Sequence, residues 1–203
     1  MSDIKVGVLG IGSMGRHHVR NARALDGFEL IAVADPSGDR FGVAGDLDVL
    51  GSVDDLIDTG VEAVIVAVPT AFHEEAALKL AEAGVHTLIE KPLSFSVESG
   101  KKIADAFAEA GVVGAVGYVE RCNPALLEMR KRIADGQLGQ LYQVATRRLS
   151  PFPARISDVG VVKDLATHDV DLASWVADSA YDLVFAQTAH KSGREDEDMV
   201  TVS

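Results

Sequence analysis

The sequence predicts an α/β chain: a doubly wound parallel sheet followed by the start of a second, α+β open-sheet domain. Three observations carry that prediction. Short, almost wholly apolar runs recur up to about Val116, as strands covered on both faces should. Segments with an apolar helical stripe lie between them, and strand–helix alternation implies right-handed crossovers between parallel strands. A glycine-rich turn, VLGIGSMGRHH from Val8 to His18, follows the first run directly.

Strands are expected at Lys5–Leu9, Glu29–Ala34, Ala63–Val68, Val85–Ile89 and Val112–Val116. A helix opens at the glycine turn. The segment Phe72–Ala83 sets Ala76, Ala77, Leu80 and Ala81 on one stripe and stops at Gly84. Ser96–Ala110 does the same with Ile103, Ala104, Phe107 and Ala108 and stops at Gly111, each glycine falling where a helix C′ residue belongs. The pattern changes after Tyr118. A helix is expected over Pro124–Ala134, closed by Gly136, then an alternating strand over Leu141–Leu149. Pro151 and Pro153 make Ser150–Asp158 a loop, and a helix follows from about Lys163 to Val176. Two strand-like runs end the sequence, Leu183–Ala189 and Met199–Ser203. Two or three strands and a helix make a poor sheet domain, so the natural chain is expected to continue beyond Ser203.

Bulk properties narrow the classes. At 203 residues and 47% hydrophobic, the chain suits one large domain or two modest ones. No apolar run approaches a membrane span, and the first residues lack the basic start and cleavage site of a signal peptide. One cysteine, Cys122, rules out an internal disulfide and suggests a reducing compartment, so a cytoplasmic location is expected. The net charge of −12 argues against nucleic acid and anionic membranes as partners. The acidic residues are spread along the chain, which fits an acidic soluble protein or a salt-adapted source.

The glycine turn carries the first chemical signal. Gly10, Gly12 and Gly15 follow a strand, open a helix, and precede Asp35 by the roughly 20 residues expected of a dinucleotide fingerprint. Gly10 permits the turn, Gly12 admits a pyrophosphate, and Gly15 lets helix and strand pack. With the intervening Ile11, Ser13 and Met14 they form the expected cofactor loop, and the helix N-terminus supplies N–H donors. Asp35 accepts from the adenosine ribose hydroxyls and would repel a 2′-phosphate, which favours NAD over NADP; nearby Arg40 blurs that preference. This is a Rossmann-type arrangement. A turn without a ligand is the alternative, and the register of strand, helix and Asp35 speaks against it.

Two further groups follow. AVPTAFHEE and LIEKPLSFS come at the ends of the next two strands, where parallel strands face a ligand crevice. They bring Pro69, Thr70, His73, Glu90, Lys91 and Pro92 toward one cleft, with the first four as cofactor contacts. Lys91, between an apolar strand and a proline, can hold a developing anion, although a lysine at a strand end is otherwise a solvent residue. In DLATHDVD, Asp164 and His168 are four apart and share a helical face. An aspartate so placed orients a histidine as a general base; the plainer alternative is an amphipathic helix with one half-buried histidine. No second His/Cys cluster joins them, so no metal is expected.

The glycine loop, Asp35, VAVPTAFH, the Glu90-Lys91-Pro92 triplet and the D-x-x-x-H from Asp164 to His168 together resemble the glucose–fructose oxidoreductase / inositol dehydrogenase / MocA (Gfo/Idh/MocA) family. The resemblance covers the whole chain. It implies an NAD-binding Rossmann domain, residues 1–119, and a C-terminal substrate and oligomerisation domain begun at 120–203. It further implies a dimer or tetramer, and well over a hundred further residues in family members. GYVERCNPA and RRLSPFPARISDVGVVKDLATHDVDL resemble the UDP-N-acetylglucosamine 3-dehydrogenase subgroup. The implied activity is NAD-dependent oxidation of a sugar C3 hydroxyl by Lys91, His168 and Asp164, with Lys91 or His168 as formal base. Tyr118, Arg121 and Asn123 would join Lys91, Asp164 and His168 at the substrate. Arg147, Arg148 and Arg155 would meet a diphosphate or carboxylate, or else offset neighbouring acids; the two readings stand even. Cys122 is read as a packing residue. The rival readings are an inositol or free-sugar dehydrogenase and an NAD-binding module without catalysis.

Overall fold

The computed structural model describes residues 2–150 and 160–203. The expected loop from Pro151 onward, with Arg155, therefore lies outside the described residues. The chain forms two compact units, one ending at Gly117 and one running from Tyr118 to Ser203.

In the first unit six strands make one parallel sheet. They are β1 (Ile4–Leu9), β2 (Phe28–Ala34), β3 (Val49–Leu50), β4 (Ala63–Val66), β5 (His86–Ile89) and β6 (Gly114–Val116), in the order β3-β2-β1-β4-β5-β6. Four helices connect them: α1 (Gly15–Ala24), α2 (Val53–Asp58), α3 (His73–Glu82) and α4 (Val97–Ala110). Side chains alternate across the strands and build a core on each face. Leu9, Ala34 and Val66 pack with Leu56 of α2, Leu80 of α3 and Ile103 and Phe107 of α4. Val8 and Val33 turn the other way, onto Val19 of α1, Ile11 and Ala44. Burying a leucine such as Leu80 contributes about 2 kcal/mol. The order reverses between β1 and β4, and the crevice at their C-terminal ends is where such folds take a ligand.

β3 and α2 were not expected from the sequence, although Ser52-x-x-Asp55 carries a helix-start signal. The Ser52 hydroxyl caps α2 by accepting the Asp55 N–H at 3.1 Å and donates to the Asp55 carboxylate at 2.7 Å. Both elements are short, two and six residues, too short to show a period.

In the second unit a 3₁₀ turn (Val119–Cys122) leads into α5 (Pro124–Ala134). A π-helical turn (Val162–Ala166) then runs into α6 (Thr167–Ala177), and β7 (Ala186–Ala189) and β8 (Met199–Val202) form an antiparallel pair. Glu197, in the turn between these strands, accepts the Val161 N–H on its carbonyl at 2.8 Å and the Val162 N–H on its carboxylate at 3.1 Å, which caps the helix start. Arg130 of α5 lies over the Trp175 ring of α6 at 4.5 Å and pairs with Asp178 at 3.2 Å.

One expected element is absent. Leu141–Leu149 is not a strand: no strand pairs with it among the described residues, and Tyr142 and Leu149 are 86% and 77% exposed. Apolar alternation makes a strand only where a ladder receives it, and β7 and β8 pair with each other. The last expected strands also shorten: Leu183 and Val184 stay outside β7, while the Phe185 and Ser203 backbones exchange hydrogen bonds just beyond it.

Candidate cofactor and substrate site

The glycine loop is built as a cradle. Gly10 has φ +84°, and a side chain there would meet the Val68 nitrogen at 2.7 Å and the Ala67 carbonyl oxygen at 2.9 Å. A side chain at Gly15 would run into the Gly10 carbonyl oxygen. Gly12 differs, because a Cβ there would meet nothing within 4 Å. That open space is what a pyrophosphate needs to approach the backbone. The first helical bond runs from the Arg16 N–H to the Gly12 carbonyl at 3.1 Å, so the N–H groups of Ser13, Met14 and Gly15 precede it. No side chain caps α1 and no acidic residue sits in its first turn, so its partial positive end is left for an anion. The residues fit a dinucleotide.

Asp35 stands one residue beyond β2. One carboxylate oxygen accepts the Ile11 N–H at 3.0 Å and the other the Ser37 N–H at 2.8 Å, which ties the glycine loop to the loop after β2. Each oxygen retains a lone pair for a ribose hydroxyl. Arg40 is exposed close by.

After β4, Pro69 is exposed and Thr70 half-buried at the head of a 3₁₀ turn. His73 was expected to reach the cofactor, but the fold uses it otherwise. It is 1% exposed. Its Nε2 faces the Val68 carbonyl at 2.9 Å, and its Nδ1 faces those of Pro92 and Leu93 at 3.0 and 3.2 Å. The ring thus joins the β4 loop to the loop carrying Lys91. Burial of a histidine between two backbone segments leaves no mark in a single sequence.

Glu90 and Lys91 leave the end of β5, both half-buried. Glu90 accepts from His18 Nε2 at 2.7 Å on one oxygen and from the Lys91 N–H at 3.2 Å on the other. Burial pushes the Glu90 carboxyl up; the hydrogen bond and charge of His18, with the Lys91 N–H and charge, outweigh it and hold the group below its ordinary value. The His18 contact was missed because its partner is seventy-two residues away in sequence.

In the second unit Asp164 lies in the π turn and His168 in the first turn of α6, both half-buried. A π turn inside a helix often marks a functional site, and nothing in the residue pattern signals it. Two of the arginines, Arg121 and Arg148, are engaged by carboxylates. Arg121 grips Asp171 with two bonds, 2.8 and 2.5 Å. Arg148 reaches Asp169 and Glu120, each at 3.1 Å. Of the two even readings, Arg148 follows the offsetting of neighbouring acids, and Arg121, expected among the substrate contacts, pairs with Asp171. Arg147 is exposed. Asn123 caps α5 by accepting the Ala125 N–H at 3.0 Å. Tyr118 lies under the Arg121 guanidinium, and burial with the nearby Asp171 charge pushes its phenol up. Cys122 is exposed rather than packed inside.

Comparison with known proteins adds a family. A model of an oxidoreductase family with an NAD-binding Rossmann fold matches residues 4–118, and a GFO/IDH/MocA C-terminal domain matches 126–203. The chain belongs to the Gfo/Idh/MocA family. Its NAD-binding Rossmann fold, the expected cofactor class and the expected resemblance agree with that membership. Scyllo-inositol 2-dehydrogenase (NAD(+)) of Bacillus subtilis is 33% identical over 85% of this chain and 54% of its own length. UDP-N-acetylglucosamine 3-dehydrogenase of Acidithiobacillus ferrooxidans is 34% identical over the same shares. The solved WlbA dehydrogenase of Bordetella pertussis, in complex with NADH and UDP-GlcNAcA, is 28% identical with a TM-score of 0.86, over 99% of this chain and 63% of that one. This chain spans about half the length of the curated relatives it matches. No helix among the described residues is long and apolar enough to cross a membrane.

Proposed function

We propose that this Gfo/Idh/MocA chain carries the cofactor half and part of the substrate half of an NAD-dependent dehydrogenase that oxidises a ring hydroxyl of a sugar to a ketone. The observation that carries the reading is Lys91, which leaves β5 at the ligand-facing end of the sheet. NAD, when bound, supplies the hydride acceptor. The glycine loop and α1 hold the pyrophosphate, and Asp35 holds the adenosine ribose. Glu90 stands one residue beyond β5 as Asp35 stands one residue beyond β2, in matching places of the two halves of the sheet. It is therefore the acceptor for the second ribose. Lys91 donates to the reacting oxygen and stabilises its developing charge. His168 is the other group for the hydroxyl proton, and Asp164 orients it. The protein works in the cytoplasm as a homo-oligomer, dimer or tetramer.

Within that class we place C3 of UDP-N-acetylglucosamine first, because relatives that act on or bind such UDP-sugars match nearly the whole chain. One observation favours a second substrate, an uncharged cyclitol: Arg121 and Arg148 already serve carboxylates of the chain. The test is NADH formation on mixing the protein with NAD and, in turn, UDP-N-acetylglucosamine, scyllo-inositol and glucose. Turnover of the UDP-sugar alone supports the first substrate, and turnover of inositol alone the second. No turnover of any of them counts against the catalytic reading of this chain.

A further inference from the structure

The two ribose-facing carboxylates are held differently. Asp35 is fixed by backbone N–H groups alone. Glu90 is fixed by a side chain from another element, His18 of α1, in a contact of 2.7 Å with the two side chains only 19% and 12% exposed. The rest of the Glu90 surroundings is rigid. Its own N–H bonds the Val66 carbonyl at 2.9 Å, its second oxygen takes the Lys91 N–H at 3.2 Å, and Gly117 backs the carboxylate so closely that a Cβ there would lie 3.3 Å from it. Among these contacts, His18 is the one that holds the other carboxylate oxygen. The same histidine sits one turn into the helix that opens at the glycine loop, so it couples the pyrophosphate cradle to the strand that presents Lys91.

We propose that His18 is a positioning residue for the cofactor: it aims the Glu90 carboxylate at the nicotinamide-side ribose and steadies the start of the Lys91 loop. The inference rests on the cofactor reading of Glu90 given above. It predicts selectivity within one ligand. The adenosine half of NAD meets Asp35 and the glycine loop, which His18 does not touch by hydrogen bond; the nicotinamide half meets Glu90.

The test is calorimetric titration of the protein with NAD and with ADP, which lacks the second ribose and the nicotinamide. His18→Ala should weaken NAD about tenfold, the worth of one hydrogen bond to a charged group, and leave ADP within about twofold. His18→Gln, whose amide can donate from nearly the same place, should recover most of the loss. Glu90→Gln should reproduce His18→Ala. Equal weakening of NAD and ADP would mean that His18 only supports the fold, and unchanged NAD binding in His18→Ala would mean it positions nothing; either result overturns the proposal. If the unaltered protein binds ADP but gains nothing from the nicotinamide half, the Glu90 reading itself fails, and that outcome is seen before any variant is made.

Discussion

The two units are stabilised by different physics. The first buries leucines, valines and isoleucines on both faces of a six-stranded sheet. The second, among the described residues, buries Leu172 and Val176 as its hydrophobic interior and relies on Arg121–Asp171, Arg148–Asp169, Arg148–Glu120 and Arg130–Asp178. Apolar burial is not weakened by ionic screening and depends little on pH, whereas partly exposed ion pairs are weakened by salt and by acid that protonates their carboxylates. The first unit thus holds its glycine loop on a packed sheet, while residues of the second are held by contacts that solvent competes for.

Substitutions can separate these terms. The largest expected effect is chemical: Lys91→Ala should lower turnover about a thousandfold, in the range of lost proton-transfer and charge stabilisation, while NAD affinity holds. Steady-state kinetics beside a binding titration checks it. Next in size are core deletions. Leu80→Ala, at a fully buried site in the first unit, should cost about 4 kcal/mol, and Leu172→Ala, 8% exposed in a thinner interior, nearer 2 kcal/mol. Trp175 is the single tryptophan and lies in the second unit, so its fluorescence follows that unit while calorimetry follows the whole chain. Equal costs would erase the contrast.

Arg121→Ala should cost the second unit about 1 kcal/mol, discounted because the arginine side chain is 44% exposed, and molar salt should shrink that cost. A cost that salt leaves unchanged would point to packing of the arginine on Tyr118 instead. The smallest effect is in acid. The hydrogen bond from Arg148 holds the Glu120 carboxyl below its ordinary value. Its contribution is present above the unfolded carboxylate range and is lost as pH falls through the lowered value. Trp175 fluorescence should therefore report earlier melting in acid, and Glu120→Gln should flatten that dependence.

Legibility in the sequence followed the same division. The parallel strands and the glycine loop are local signals: an apolar run, a turn that requires glycine, an acid at a fixed distance. They led to β1, β2, β4, β5, β6 and Asp35 with boundaries off by a residue or two. Leu141–Leu149 misled because alternation speaks of a strand's faces and says nothing of a partner. The two readings of Arg148 could not be separated, since Asp169 and Glu120 lie 21 and 28 residues from it. His73 was placed in the right loop and given the wrong task, because two of the carbonyls that claim its ring, those of Pro92 and Leu93, belong to the segment after β5. Long-range polar pairing is the part of a site that spacing does not record.

NAD binding at the glycine loop and Asp35 is tested most directly by a calorimetric titration of the protein with NAD and then with NADP. One NAD site per chain and markedly weaker NADP are expected, because the Asp35 carboxylate held by the Ile11 and Ser37 N–H groups would repel a 2′-phosphate. Absence of NAD binding, or a preference for NADP, would contradict that assignment.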